Sequence, residues 1–316
     1  MLKSSKKEDG GYTCTLSPEL QEKAAKELNE DPKTRLLEIK NLRTRLEKVP
    51  GLQPRTDVRF LLRFLRARKF DQERSFQLVK NYYDIRVQFP EMCSDLKPSR
   101  VRHVFDDGFI EVLKHRDNEG CRVIILRPDN WDPDRYPAAD ILKAIYMTFA
   151  MISEDEDTQV SGVHLISYLA TMTFKQLSQA TPNMAKFFIS TLQDVVPIRL
   201  KRYDFVKESA FFDVILALMK PFMKEKLLSR LVVNGDKFDK LHSSINPEFL
   251  PIDLGGKLPK HSNKELVESL LASDAQFEED NKFGFVKMNV NSGNSVSKSG
   301  DADMQGLGGT FKKLDI

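Results

Sequence analysis

The sequence predicts an α/β protein in which an all-helical N-terminal module precedes a domain with a mostly parallel sheet and flanking helices. Two observations support this fold class. Up to about residue 95, apolar residues recur at helical spacing and short loops separate the segments. From Phe109 onward, short apolar runs typical of strands alternate with segments of helical spacing, as in parallel sheets. We therefore divide the chain into a disordered N-terminus (1–16), a helical module (17–95), a sheet domain (96–275) and a flexible tail (276–316).

The helical module is predicted from its capping residues and its apolar stripes. The first helix begins at Ser17-Pro18, because serine can cap a helix and proline suits the first helical position. Pro32 opens a second helix, which Pro50-Gly51 stops. Asp57 begins a third helix and Asp71 caps a fourth. Four helices joined by short loops should form a compact unit.

The sheet domain is predicted from runs that alternate in character. The predicted helices extend from Ala138 to about Ser153 and onward from Thr181-Pro182, while a turn at residues 117–120 joins the first two strands. The predicted strands are Phe109–His115, Cys121–Arg127, Gly162–Leu169, Tyr203–Lys207 and Leu231–Val233. From about Gln276 the composition becomes acidic and then rich in Asn, Ser and Gly, which predicts the flexible tail.

Composition and motifs exclude several classes of function. The net charge of +3 is too small for a nucleic-acid binder, and the three cysteines are too far apart for a disulfide framework or a zinc site. No phosphate-binding loop, nucleophile elbow or HExxH motif is present. His164 is expected in the core or in a pocket wall, and Asp155-Glu156-Asp157 in a solvated loop. We therefore expect a protein that is not an enzyme and has no cofactor, metal or nucleic-acid partner.

One stretch, Ala210–Met223, is apolar on nearly every side, since Asp213 and Lys220 are its only charged residues. It is too short to cross a bilayer, which takes about 20 apolar residues, and Pro221 should end or kink it. Cations precede and follow it in the sequence. Two interpretations are open: a buried helix beside solvated lysines, or a helix at a surface that meets anionic membrane lipid.

Several spaced motifs resemble those of the CRAL-TRIO lipid-transfer family over roughly residues 17–275. The run Phe60-Leu-Leu-Arg-Phe-Leu-Arg-Ala-Arg-Lys-Phe-Asp71 is similar to the signature of that family's helical module. Lys220-Pro-Phe222, Glu225-Lys226 and Leu250-Pro-Ile-Asp-Leu-Gly-Gly256 look like its gate and closing segments. Three further stretches, Gly11–Leu16, Arg127–Trp131 and Ala144–Thr148, are most similar to the α-tocopherol transfer protein-like branch. The tocopherol transfer protein, the clavesins and the retinaldehyde-binding protein are related to this branch.

The resemblance implies a lipid cavity covered by a mobile gate helix, which Ala210–Met219 matches. It also implies a basic cleft that binds phosphoinositide phosphates, with Arg199, Lys201, Lys226 and Arg230 at the matching positions. Helical stripes and the position of the gate suggest a lipid pocket that includes Ile145, Phe149, Leu165, Phe187, Phe188, Thr191, Leu192, Phe211, Phe212, Ile215 and Leu218. Ile145 and Phe149 replace the serines of the tocopherol protein, which argues against tocopherol itself as the ligand.

We therefore expect a cytosolic, monomeric carrier that binds a hydrophobic lipid (tocopherol-like, retinoid-like or phospholipid) and transfers it between membranes. Phosphoinositides would assist gate opening at endosomal or other internal membranes. The alternative is a phosphoinositide-binding trafficking adaptor that exchanges no lipid. The basic run containing Arg63, Arg66, Arg68 and Lys69 is short, and a scaffold role is expected for it rather than nucleic-acid binding.

Overall fold

A computed structural model of the chain describes residues 12–259 and 264–286. Its first, third and fourth helices begin at capping side chains that the sequence predicts. The Ser17 hydroxyl accepts a backbone N–H three residues on at 3.3 Å, and the carboxylates of Asp57 and Asp71 do the same at 3.0 and 2.9 Å. These bonds satisfy N–H groups that have no partner within the first helical turn. The helices that precede the central sheet are α1 (Pro18–Leu28), α2 (Arg35–Leu46), α3 (Val58–Ala67), α4 (Gln72–Gln88), α5 (Pro90–Cys93) and α6 (Arg102–Asp106).

The helical module shares one hydrophobic core with the rest of the protein. Its helices α2, α3 and α4 pack on one another, and most residues of their predicted apolar stripes are buried, although Leu36 of α2 is 40% exposed. The start of α2 was predicted at Pro32, but residues 32–34 form a turn and the helix begins at Arg35. The same core continues into the sheet domain through Ile124 and Leu165. The module is therefore held against the sheet domain by apolar packing.

The central sheet has five strands: β2 (Ile110–Arg116), β3 (Arg122–Leu126), β4 (Val163–Tyr168), β5 (Leu200–Val206) and β6 (Leu231–Val233). They lie side by side in this order and the sheet is mostly parallel, which confirms the predicted fold class. Within this sheet only the pair β2 and β3 is antiparallel, as the predicted turn between them requires. The first strand of the chain, β1 (Leu52–Gln53), lies outside this sheet.

Strand β5 starts earlier than the predicted Tyr203. Its first residue, Leu200, already pairs with Val163 of β4, and the Val163 N–H donates to the Arg199 carbonyl at 2.9 Å. The charged residues at the start of β5 have little intrinsic preference for strands, so the sequence pattern missed them. Pairing with the neighbouring strand determines their conformation instead.

Alternate residues of the strands face two different layers. On one face, side chains such as Leu165, Tyr203 and Phe205 belong to the large core that includes residues of the flanking helices. On the other face, Ile166 and Val206 pack under the C-terminal segment that contains Leu241, Ile245, Leu250 and Leu254. The helices that follow β3 are α7 (Ala138–Ile152), α8 (Glu156–Ser161), α9 (Phe174–Ser178), α10 (Pro182–Ser190), α11 (Phe212–Met219), α12 (Glu225–Leu228), α13 (Asp239–His242), α14 (Lys264–Ala272) and α15 (Asp274–Asp280).

The expected disorder of residues 1–16 is wrong for its described part. The Tyr12 hydroxyl donates to the Glu156 carboxylate at 2.8 Å, the Thr15 N–H donates to it at 2.9 Å, and Leu16 is buried beside α1. Glu156 is itself buried at the start of α8, so the acidic triplet is not the solvated loop that was expected. The Glu156 carboxylate holds the N-terminal segment in place. Residues 1–11 lie outside the described residues.

The predicted start of the tail at residue 276 also needs correction. Helix α15 covers Asp274–Asp280 with Phe277 buried, and β7 (Gly284–Phe285) pairs antiparallel with β1. The Arg55 guanidinium donates to the Asp280 carboxylate at 3.1 Å. These contacts involve residues far away in sequence, so an acidic composition alone gave no sign of them. The rest of the predicted tail, from residue 287 onward, lies outside the described residues.

Candidate functional site

An apolar cavity of about 180 Å³ lies between the sheet and helices α7, α10 and α11. Helix α11 contributes Ile215 and Met219 to its wall, and α7 contributes Ile145. Phe188 of α10 and the chain's single tryptophan, Trp131, also line it. The lining is almost entirely apolar because α7, α10 and the strands turn their apolar sides to this space. Such a cavity suits a small apolar guest.

Three of the predicted pocket residues, Ile145, Phe188 and Ile215, line this cavity. Eight others do not line it as the structure stands. Their contact with a lipid stays a prediction. Five of the eight are buried in the surrounding core: Phe149, Leu165, Phe187, Thr191 and Leu192. The other three belong to the segment of α11: Phe211, Phe212 and Leu218.

The strands contribute lining residues that sequence analysis did not select. Ser167 lies in β4 and Leu169 directly after it, two residues apart. Tyr203 and Phe205 of β5 are likewise two residues apart, and all four residues line the cavity. Alternation along a strand puts such residues on one face of the sheet. This alternation was the signal available in the sequence, but the helical stripes were used instead.

Helix α11 is a surface helix with one face on the cavity. Val214 is 55% exposed on the outer face, whereas Phe212 is buried and its ring lies 5.1 Å from that of Phe205 on β5. The helix ends at Met219, and a short 3-10 turn containing Pro221 follows, as the proline predicts. Of the two interpretations open for this stretch, a fully buried helix is therefore excluded. No helix within the described part of the chain is long and apolar enough to cross a membrane.

A basic cleft of about 650 Å³ lies between α4, the segment Leu192–Asp194 that follows α10, the start of β5 and α12, and it contains all four predicted cations. Two carboxylates, Glu27 and Asp194, are its only acidic lining residues among those described. The eight cations that line it are Arg68, Lys69, Arg74, Arg199, Lys201, Lys224, Lys226 and Arg230. Positive charge therefore exceeds negative charge in this cleft, although the whole chain carries a net charge of only +3.

Secondary structure explains how the four predicted cations meet. Arg199 directly precedes β5 and Lys201 is the second residue of that strand, and both side chains reach the same Glu27 carboxylate. Lys226 lies in α12 and Arg230 directly precedes β6, the neighbour of β5. The Arg230 guanidinium donates to the Leu200 carbonyl, which fixes its position.

Two carboxylates partly neutralise the cleft. The Glu27 carboxylate of α1 accepts hydrogen bonds from Arg199 Nη2 at 3.1 Å and from Lys201 Nζ at 3.2 Å. Burial opposes ionisation of Glu27, but these two hydrogen bonds lower its pKa below the usual value. Asp194 accepts a hydrogen bond from Lys224 Nζ at 2.8 Å. Arg68 lies farther from Asp194, at 3.8 Å. Among the described residues, no carboxylate forms an ion pair with the other four cations of the cleft, Lys69, Arg74, Lys226 and Arg230.

The cations of the cleft disturb one another. Burial lowers the pKa of Lys226, and the nearby charges of Arg230, Arg74, Lys69 and Arg68 lower it further. A cation with a lowered pKa gains free energy when an anion binds beside it. Arginine offers paired donors and lysine a compact charge, so the cleft is suited to a ligand with several phosphate oxygens.

Arg68, Lys69, Arg74 and Lys224 were not predicted as cleft residues. The expected scaffold role holds for the first half of the basic run: Arg66 is fully buried on Glu30, with its Nε 2.8 Å from the carboxylate, and Arg63 is buried as well. The second half, Arg68 and Lys69, lines the cleft. Helix α3 ends at Ala67, between the two halves, and Lys69 has a positive φ of 57° in the turn that follows. Nothing in the basic run itself signals that turn.

Comparison with known proteins agrees with this architecture. The family description "CRAL/TRIO, N-terminal domain" matches residues 19–81, and "CRAL/TRIO domain" matches residues 106–256. The human protein named "Alpha-tocopherol transfer protein-like" is 39% identical over 271 residues, which are 85% of this chain and 79% of that protein. Mouse "Clavesin-2" is 36% identical over 292 residues, or 92% of this chain and 87% of that protein.

A solved structure, that of Sfh5, matches 84% of this chain with 14% sequence identity and a TM-score of 0.45. The two matching domain descriptions follow each other in the order of the helical module and the sheet domain. With relatives of this identity over most of its length, the chain belongs to the CRAL-TRIO family.

Proposed function

We propose that this protein binds a hydrophobic lipid in the cavity beneath α11 and transfers it between membranes, with α11 acting as the gate. Membership of the CRAL-TRIO family supports lipid binding or transfer in general. The observation that carries the proposal is the position of α11, which covers an apolar cavity with Ile215 and Met219 while Val214 on its outer face is exposed. An exposed apolar side chain on a lid suits contact with a bilayer.

The size of the cavity argues for movement of the gate. Sites for drug-sized ligands usually measure about 300–1,000 Å³, whereas this cavity measures about 180 Å³. A lipid as large as a drug-sized ligand therefore fits only if α11 or neighbouring side chains move outward. The gate is bounded by a positive φ of 53° at Lys207 on one side and by Pro221 on the other. Both lie outside the regular helix, where backbone rotation disturbs few hydrogen bonds.

Apolar side chains beside the gate extend its membrane-facing surface. Phe174 of α9 is 71% exposed, and its ring lies 6.4 Å from that of Phe211, directly before α11. Together with Val214 these rings would enter the interface of a bilayer when the gate approaches it. We infer peripheral binding to endosomal or other internal membranes, with the basic cleft providing attraction to anionic lipid.

A bound phosphoinositide would bias the gate because cleft residues directly follow it. Lys224 and Lys226 come just after the 3-10 turn that ends the gate. The Gln193 side chain joins the two regions: its Nε2 donates to the Phe222 carbonyl at 2.8 Å and its Oε1 accepts the Lys224 N–H at 3.1 Å. A ligand that pulls on Lys224 and Lys226 therefore acts on the end of the gate. It shifts the equilibrium only if it binds the open state better.

The test is transfer of a bound lipid to vesicles with and without phosphoinositide. In Arg199→Ala/Lys226→Ala, we expect phosphoinositide to accelerate transfer much less than in the wild type, since half of the predicted cations are lost. Lys40→Ala/Arg59→Ala removes the same charge from exposed positions outside the cleft and serves as the control. Equal acceleration in both double variants would remove the cleft from the mechanism.

The small cavity also favours a second candidate, a trafficking adaptor that binds phosphoinositide membranes without exchanging lipid. Exchange separates the two functions. A carrier moves labelled lipid from donor to acceptor vesicles in proportion to its concentration, whereas an adaptor binds both vesicle populations and leaves the label where it was.

A further inference from the structure

The cavity beneath α11 contains very few polar atoms, and each can be accounted for. Its described lining includes no charged side chain. The polar side chains that line it are those of Trp131, Ser167, Gln176 and Tyr203. A guest molecule can bring a polar group into the cavity only where one of these four side chains still has a hydrogen-bonding atom to spare.

Two of these side chains use their polar atoms within the cavity wall. The Trp131 Nε1–H donates to the Tyr136 carbonyl at 3.0 Å. Gln176 Nε2 donates to the Trp131 carbonyl at 2.6 Å, and Gln176 Oε1 accepts the Thr173 N–H at 2.8 Å. These bonds hold the loop before α7 against α9, so these two side chains are part of the wall and are not free to bind a guest.

Ser167 and Tyr203 differ because they bond only to each other among the described residues. Their hydroxyl oxygens lie 3.0 Å apart, and both residues are buried. Two hydroxyl groups carry two hydrogens, and one bond between them uses one of these, so one donor and several lone pairs remain. Burial raises the pKa of Tyr203, so its hydroxyl stays protonated. A buried hydroxyl with an unused donor costs free energy until a partner arrives.

We propose that the Ser167–Tyr203 pair is the polar anchor of the cavity, which binds the hydroxyl or carbonyl of an uncharged, otherwise apolar lipid. This inference rests on the proposed function and narrows its ligand. The two side chains lie on adjacent strands, β4 and β5, so the anchor is rigid before the ligand binds. A single hydroxyl or carbonyl on a long apolar chain matches one polar pair in an apolar cavity.

The lack of charged side chains in the described lining excludes a charged group of the ligand from the buried end of the cavity. A carboxylate or phosphate placed there would meet no cation among the described lining residues. Burying an unpaired charge costs far more than one hydrogen bond returns. Lipids that bind through an ionised headgroup would have to keep that group outside, whereas an alcohol, aldehyde or ketone can enter completely.

The test uses three probes with the same fifteen-carbon chain: farnesol, farnesene and farnesoic acid. Trp131, the single tryptophan and a lining residue, reports occupancy through its fluorescence emission. In the wild type we expect farnesol to bind about tenfold more tightly than farnesene, because only farnesol satisfies the anchor. Farnesoic acid should bind more weakly than farnesol at neutral pH.

The double variant Ser167→Ala/Tyr203→Phe removes both hydroxyls of the pair, so that neither is left to bind the guest. We expect it to lose most of the preference for farnesol while it binds farnesene about as well as the wild type does. Tyr168→Phe removes a hydroxyl from the next residue of β4, which lies against the opposite layer, and should keep the full preference. Thermal unfolding of each variant verifies that it is folded.

The outcomes distinguish the anchor from the proposed function. If the wild type binds farnesene as tightly as farnesol, or if Ser167→Ala/Tyr203→Phe keeps the preference, the anchor is wrong while lipid binding stands. Tighter binding of farnesoic acid would also overturn the anchor. If none of the three probes changes the Trp131 emission of the wild type, the cavity takes no such chain and the proposed function fails as well.

Discussion

His164 lies between two carboxylates on the face of the sheet opposite the cavity. Its Nδ1 is 3.1 Å from Asp117 and its Nε2 is 2.8 Å from Asp204, and its side chain is fully buried. Because both ring nitrogens face carboxylates, the ring carries two protons and a positive charge. Of the two expected places for this histidine, the core is correct and the pocket wall is wrong. The sequence could not reveal the two carboxylates, which come from a turn and from another strand.

This arrangement predicts a pH dependence of stability. Burial opposes protonation of His164, but the hydrogen bonds to Asp117 and Asp204 raise its pKa above the ordinary 6.5. The folded state therefore holds the proton more tightly than the unfolded state, so this contribution is complete below about pH 6.5 and is lost as the pH rises through the raised value.

Replacing His164 by glutamine should thus cost roughly 3 kcal/mol of unfolding free energy near pH 6, and less at alkaline pH. Urea unfolding of the wild type and of His164→Gln across this pH range measures the difference. His115→Gln is the control, since His115 is exposed and stacks on Phe249. A loss that does not vary with pH would contradict a charged His164.

Glu27 is the second residue whose role follows from its contacts. Its carboxylate occupies Arg199 and Lys201, two of the cations that we propose for phosphoinositide binding. A phosphate that binds there must displace it. We therefore expect Glu27→Gln to bind phosphoinositide vesicles about two- to fivefold more tightly, a modest gain because the pair is partly exposed to solvent.

A vesicle sedimentation assay measures this affinity. Glu22→Gln removes the same charge from the exposed side of α1, where Glu22 pairs with Lys26, and should leave binding nearly unchanged. Equal gains in both variants would indicate a general effect of net charge instead of competition for Arg199 and Lys201.

At the scale of elements, the gate shows what sequence patterns can and cannot predict. Its apolar composition and the following proline predicted a short helix that ends early, and α11 ends at Met219. The helical stripes of α7 and α10 correctly indicated buried faces. They could not indicate which buried residues meet a cavity, because that depends on how neighbouring helices pack. Ile145 therefore lines the cavity, while Phe149, one turn further along α7, is enclosed by the core.

The exposed face of the gate should contribute to membrane binding. Replacing Val214 by serine removes apolar surface that would enter the bilayer, and we expect roughly fivefold weaker binding to vesicles and slower transfer. Stability should hardly change, since this side chain is 55% exposed. Val87→Ser on α4 is the matched control, because Val87 is 64% exposed on a different helix. Equal effects of the two substitutions would argue against α11 as the contact surface.

At the scale of the whole molecule, average properties concealed the main electrostatic feature. A net charge of +3 over 316 residues gives no indication of a cleft lined by eight cations and two carboxylates. Four of those cations were predicted from spaced motifs, since motifs carry positional information. The other four, such as Lys224 and Arg74, reach the cleft only through the packing of separate elements. The order of helices and strands was predictable because it depends on local periodicity.

The pairing of β1 with β7 links residue 52 to residue 285, nearly the full length of the described chain. During synthesis the helical module emerges from the ribosome long before its last strand partner exists. The N-terminal domain of a chain generally folds first, but here the Arg55–Asp280 ion pair and this two-stranded ribbon can form only after residue 285 has been synthesised. A nascent chain halted after the matched family domain, at residue 256, would therefore contain the helical module without the β1–β7 pairing and the Arg55–Asp280 ion pair.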